Sequence, residues 1–226
     1  MPVFTFQTAH GPQQIAIAEL VVAGWTGRDA DAVQHHIAEL AALGVPAPSQ
    51  VPLYYRVGAE LLTQDPEICV LGAETSGEVE PFLVSDATGA LWLGLASDHT
   101  DRALETLSVA KSKQVCPKPV ARELWRLDTV LPYLDDLTLH SEIVEDQAQG
   151  KTRYQSGTLG AIRPLTDLMK GLPGGRLAPG MAMLCGTLPA IGGIRRANAF
   201  SMALHDPKSG RTIAHDYKIT ELPLIS

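Results

Sequence analysis

"EVEPFLVSDATGALWLGLASD", residues 78–98, is the stretch on which the reading of the chain turns. Two apolar runs, "PFLV" and "LWLGL", lie on either side of "ATG", a turn-forming segment. Short apolar runs bounded by turn residues read as buried strands, so the stretch predicts a β-hairpin. Its two ends are acidic: Glu78 and Glu80 open the first strand and Asp98 closes the second. Residues two apart on a strand share a face, which places Glu78 and Glu80 on one side and directs Val79 into the core. Closing the hairpin then brings Asp98 beside Glu80. An isolated Glu-x-Glu pair is also what a solvated strand face shows, but the apolar "PFLV" that follows argues against a surface strand. Like charges this close repel unless a cation lies between them. Three carboxylates suit a hard divalent ion, Mg²⁺ or Mn²⁺. Zinc fits less well, because no Cys or His cluster has zinc spacing.

Outward from the hairpin, "VFTFQ" and "QIAIAELVVAG" read as strands, and "GRDADAVQHHIAELAALGV" as a helix capped by Asp29 or Asp31. Val33, Ile37, Leu40 and Leu43 have helical spacing there, and Gly44 and Pro46 end the pattern. "VPLYY" and "EICVLGAE" predict further strands, and "DRALETLSVAKS" a helix. The second half reads as two hairpins, "LTLHSEIVE" with "TRYQSGT" and "AFSMALHD" with "RTIAHDYKI". Between them lie a helix over "LGAIRPLTDLMKGL" and a strand, "GMAMLCGT", running into a Gly-rich loop. Many short strands and few helices predict a β-rich α+β fold. No linker, repeat or low-complexity segment divides the chain, so residues 1–226 are expected to form a single domain.

The net charge of −7 and the lack of any Lys/Arg cluster beyond Arg195-Arg196 exclude the basic surface on which nucleic-acid binding depends. The three cysteines, Cys69, Cys116 and Cys185, are odd in number and without a CxxC, so buried free thiols in a reducing compartment are expected. The N-terminus has neither a basic nor an apolar leader segment, and Glu19 interrupts the longest apolar run. The chain reads as soluble and cytoplasmic.

Other residues could carry chemistry. His36 and Glu39 are three apart on the first helix, so the carboxylate could hold the imidazole in one tautomer. A surface pair would show the same spacing. Ser108-x-x-Lys111 matches the SxxK pattern of a serine amidase, but its companion motifs are in the wrong order. The loop at Gly186 and Thr187 offers backbone N–H groups and a hydroxyl for an anion, and equally makes a tight turn.

The order of these signals is informative. From the N-terminus they are Gly27-Arg28, His36-x-x-Glu39, Glu78-x-Glu80, Ser97-Asp98-x-Thr100-x-Arg102, Lys111-Ser112 to Cys116-Pro117, and Gly186-Thr187-x-Pro189. In this the sequence resembles the fumarylacetoacetate hydrolase superfamily, and in particular one of its uncharacterised branches. The late "LAPGMAMLCGTLPAIGG" is similar to that family's glycine loop, and "GKTRYQSGT" to one of its hairpins. The resemblance implies a mixed, rolled β-sheet barrel with a few flanking helices, usually a homodimer. It implies Glu78, Glu80 and Asp98 as ligands of one Mg²⁺ or Mn²⁺ ion. His36, oriented by Glu39, would activate water or move a proton, and Lys111 and Arg102 would face substrate oxygens. Thr187 with Gly186 would hold a carboxylate or oxyanion, and Arg28 would join the substrate-binding set. The sequence departs from the family in a short Glu80–Asp98 interval and in two extra residues before the histidine, which make His35 a competitor of His36.

The chemistry these parts suggest is metal-dependent hydrolysis of a C–C bond in a 2-oxo acid or β-dicarbonyl substrate of the acylpyruvate kind. A lyase, decarboxylase or tautomerase would use the same site. A barrel that binds a small anion without catalysis is the alternative of a different class.

Overall fold

The computed structural model describes residues 1–42, 47–146 and 150–225, apart from the side chains of His36, Glu39, Leu40 and Ala42. The main strands are β1 (Val3–Thr8), β2 (Gly11–Ala16), β3 (Glu19–Gly24), β4 (Leu53–Val57), β5 (Glu67–Leu71), β6 (Val79–Ser85) and β7 (Leu91–Ser97). They continue with β8 (Thr138–Val144), β9 (Thr152–Thr158), β10 (Met181–Leu184), β11 (Ala199–His205) and β12 (Thr212–Leu222). Helix α1 (Ala30–Ala42) is the longest helix among the described residues; α2 (Arg102–Glu105) and α3 (Val109–Gln114) are short.

The β6–β7 hairpin forms as its sequence requires, antiparallel, with Glu80 opposite Ala96. It lies inside a six-stranded sheet of order (Trp125–Arg126)-β7-β6-β10-β3-β4. Both faces of this sheet are covered, which is why "PFLV" and "LWLGL" do not alternate with polar residues. On one face Val79, Leu83, Leu93 and Leu95 pack into the main core, shared with Tyr154, Phe200 and Tyr217 of the second sheet. That five-stranded sheet has the order β9-β8-β11-β12-β5. On the opposite face Phe82, Val84, Trp92 and Ala96 meet Phe6, Ile15 and Ile17 from the β1–β2 hairpin and its end. Glu80 lies on this second face, by the two-residue alternation.

Several expectations are corrected. The run "QIAIAELVVAG" is two strands, because it changes partner: β2 pairs with β1, and β3 pairs in parallel with β10. "DRALETLSVAKS" is two short helices, each with its own N-cap: Asp101 accepts from Leu104 N, and Ser108 from Lys111 N. "LGAIRPLTDLMKGL" is broken at Pro164 into a 3₁₀ turn, Leu159–Ala161, and a helix, Leu165–Lys170. Asp29 is the cap of α1, accepting from the backbone N–H groups of Asp31 and Ala32. The end expected for that helix at Gly44 and Pro46 lies outside the described residues. Cys116 and Cys185 are buried thiols, but Cys69 is exposed, since it alternates with Ile68 and Val70, which face the core. No helix among the described residues is long and apolar enough to cross a membrane.

Candidate metal centre

The ends of the hairpin meet as its register dictates. Asp98 N–H donates to Glu78 O at 2.9 Å, and Glu78, Glu80 and Asp98 each present an oxygen within 4.8 Å of the other two. This is no solvated strand face: Asp98 is wholly buried and Glu80 is 2% exposed. Isolated buried carboxylates would be costly, so their partners decide the site.

Those partners come from the two short helices and the segment after them. Arg102 donates from Nε to Ser76 Oγ (2.7 Å) and from Nη1 to Glu105 Oε2 (2.7 Å). Its Nη2 lies 3.1 Å from Glu78 Oε1. Lys113 makes a short ion pair with Asp98 Oδ2 and lies 3.8 Å from Glu78 Oε2. Lys118, also wholly buried, donates to the His99 carbonyl at 2.6 Å and lies 3.1 Å from Asp98 Oδ1. Gly186 N–H donates to Glu80 Oε2 at 2.7 Å. Gly186 has φ +100°, and a Cβ there would fall 1.6 Å from Thr26 Oγ1, so only glycine brings this N–H to Glu80.

Burial pushes the Glu80 carboxyl well above its usual range, and the charges of Asp98 and Glu78 add to this. Burial acts the same way on Asp98, but Lys113 and Lys118 outweigh it and hold that carboxyl at about 2. Burial works against the Lys113 ammonium, yet Asp98 and Glu78 raise its pKa above the ordinary value. Lys118 is pulled down by burial, with Asp98 opposing.

Hard oxygen donors without sulfur or imidazole are the donor set of Mg²⁺ or Mn²⁺. Asp98 Oδ1 is buried yet accepts no well-formed hydrogen bond, because Lys118 is near it but poorly aligned. An oxygen left in this way has a lone pair for an ion, and the three residues fit one dication.

The other predicted residues are placed differently. Lys111 is exposed, and the lysines on the carboxylates are Lys113 and Lys118. Residues two positions apart on a helix point about 200° apart, so α3 turns Lys111 outward when it turns Lys113 inward. Lys118 sits between Pro117 and Pro119 in an extended segment paired in parallel with Leu62 and Thr63, a geometry that residues preceding proline favour. Arg102 is near the site, but its guanidinium braces Glu78 and Glu105. Arg28 is tied to Asp135 through both terminal nitrogens, at 2.5 and 2.8 Å, and to the Ile162 carbonyl. The Thr187 hydroxyl donates to Val79 O and accepts from Gln155 Nε2. Thr187 and Gly186 therefore hold the strand end and Glu80. Ser108 caps α3, and with Lys111 exposed the amidase pair is not assembled. The His36 and Glu39 side chains lie outside the described residues; α1, which carries them, forms as a helix, and His35 beside them is exposed. A cavity of about 320 Å³ between Gln50–Tyr54 and Arg163–Gly171 is not lined by Glu78, Glu80 or Asp98.

Polar residues not singled out from the sequence lock the centre. Gln155 accepts from Val79 N–H and Ser141 Oγ and donates to Thr187 Oγ1 and Leu188 O. His99 is held between Tyr217 OH (3.1 Å) and Thr75 Oγ1 (3.0 Å). Burial, reinforced by Lys118 and Arg102, pushes its pKa down to about 3, so the imidazole is neutral. Between pH 6.5 and about 3 the unfolded chain then binds a proton that the native protein does not, and stability is lost as pH falls through this window. Glu80, shifted upward, has the opposite slope, so the two are separated by comparing variants. From pH 7 to 5 the wild type is expected to lose about 2 kcal/mol more unfolding free energy than His99→Gln, by urea denaturation in EDTA. Parallel pH slopes would mean that His99 titrates normally.

A family model described as a protein of unknown function, DUF2848, matches residues 23–217. No curated protein matches the sequence significantly. Among solved structures, one described as "a putative fumarylpyruvate hydrolase" from Burkholderia cenocepacia is 13% identical with TM-score 0.63, over 99% of this chain and 97% of that one. The 2-keto-3-deoxy-D-arabinonate dehydratase complexed with magnesium and 2,5-dioxopentanoate is 13% identical with TM-score 0.64, over 95% of this chain and 78% of that one. Cg1458 with inhibitor is 14% identical with TM-score 0.66, over 94% and 81%. At such identities the likeness establishes the fold, and it is the fumarylacetoacetate hydrolase-like fold implied by the motif order.

Proposed function

This chain belongs to the DUF2848 family of proteins of unknown function, and from that premise and the carboxylate cluster we propose a divalent-metal-dependent enzyme that hydrolyses a C–C bond of a 2-oxo acid or β-dicarbonyl compound. The observation that carries this reading is the convergence of oxygens of Glu78, Glu80 and Asp98 within 4.8 Å of one another. The dehydratase of the same fold, complexed with magnesium and 2,5-dioxopentanoate, lends support.

Glu78, Glu80 and Asp98 would hold a dication, which would supply Lewis-acid polarisation of a substrate carbonyl. The chain's own residues do the rest. Gly186 N–H fixes one oxygen of Glu80, and Arg102 braces Glu78. Lys118 keeps Asp98 ionised from a position locked by the His99 carbonyl. Lys113, rather than the exposed Lys111, is the lysine near enough to the carboxylates to offer positive charge to a substrate oxygen. His36 on α1, oriented by Glu39, is proposed to deliver the water or the proton.

Hydrolysis of an acylpyruvate by this site releases pyruvate and a carboxylic acid. Incubating the protein with acylpyruvates and 2-oxo acids, with Mn²⁺, Mg²⁺ or EDTA, and identifying products by NMR is expected to give those two products only when the ion is present. Release of CO₂, or loss of water alone, would instead assign the site to a decarboxylase or lyase. No turnover together with no ion binding would leave the anion-binding alternative.

A further inference from the structure

Two lysines flank Asp98, and they are held differently. Lys118 is fixed from behind: it has no exposed surface, and its ammonium is tied to the His99 carbonyl at 2.6 Å as well as to Asp98. The polar contacts of Lys113 are with Asp98 and Glu78, two of the three residues that present the converging oxygens. A dication and this ammonium therefore claim the same carboxylates, and two cations within one cluster of this size repel strongly.

A second resting place for the ammonium lies alongside. The ring of Tyr55 is centred 5.9 Å from Lys113 Nζ, within cation–π range. The ring is fixed in this position. Its hydroxyl accepts the indole N–H of Trp25 at 3.3 Å, and it lies so close to Gly24 that a Cβ there would be 2.8 Å from it. Trp25 has φ +61°, the only positive value among the described non-glycine residues and a costly one for a bulky side chain.

We propose that Lys113 is the built-in counter-ion of the carboxylate cluster, and that a dication displaces its ammonium onto the face of Tyr55. Lys113 thus sets the ion concentration at which the site loads. The inference rests on the reading that this cluster takes a dication.

The test is Mn²⁺ binding to EDTA-treated protein, followed by the EPR signal of the free ion. Lys113→Met is expected to bind Mn²⁺ about tenfold more tightly than wild type, since the competitor is gone. Lys111→Met, which removes an exposed charge from the same helix, should change affinity by less than about twofold. Tyr55→Leu should bind several-fold more weakly, because the displaced ammonium has lost its aromatic face. Reductive methylation of wild-type lysines, read by mass spectrometry, gives a measurement that needs no variant. Mn²⁺ should speed modification of Lys113 and leave Lys118 protected. Wild-type binding with unchanged or weaker affinity in Lys113→Met, or with no change in Lys113 modification, overturns the displacement and leaves the metal centre standing. Absence of Mn²⁺ binding in wild type and variants alike overturns both.

Discussion

Asp98→Ala is expected to cost about 3–5 kcal/mol of folding stability in EDTA, measured by urea denaturation at pH 7. The substitution removes the carboxylate between two buried ammonium groups. Lys118 has no exposed surface, and among the described residues its other polar partner is the His99 carbonyl. Lys113 retains Glu78 at 3.8 Å, so the uncompensated charge is mainly that of Lys118. A domain of this kind has about 5–15 kcal/mol in total, so the loss takes a large share. Asp98→Asn keeps the shape and removes only the charge, and should recover little. A cost below about 1 kcal/mol for the alanine variant would show that Lys118 is neutral in the native protein.

Glu80→Gln is expected to separate ion binding from folding. With wild type, Mg²⁺ or Mn²⁺ at a hundred times its dissociation constant should add about 2.7 kcal/mol to the unfolding free energy. The variant should gain nothing at the same concentration. Its stability without added ion should nevertheless remain within about 1 kcal/mol of wild type. Burial and the charges of Asp98 and Glu78 favour the protonated form of Glu80, which glutamine mimics in shape and charge. The amide oxygen can still accept from Gly186 N–H. Equal stabilisation of both proteins by the ion would remove Glu80 from the centre.

The carboxylate cluster was legible because hairpin formation is local. Turn residues at "ATG" and the two-residue alternation suffice to bring Asp98 to Glu78 and Glu80. The strands of the β8–β9 and β11–β12 hairpins were legible for the same reason. The motif order pointed to the fold. Spacing along a short helix does not say which side meets the sheet, so the sequence did not distinguish Lys111 from Lys113. That depends on where α3 packs, and it turns Lys113, 6% exposed, toward Asp98.

What the sequence determined by itself is what neighbouring residues determine for each other: which runs are strands, where they turn, and which three acids one hairpin brings together. The tertiary structure alone decided which cations meet those acids, that Gly186 closes on Glu80 across more than a hundred residues of chain, and that residues 11–24 divide between two sheets. The physical reason is that a charge becomes tolerable in the interior only through partners that non-local pairing supplies, and periodicity along the chain carries no information about those partners.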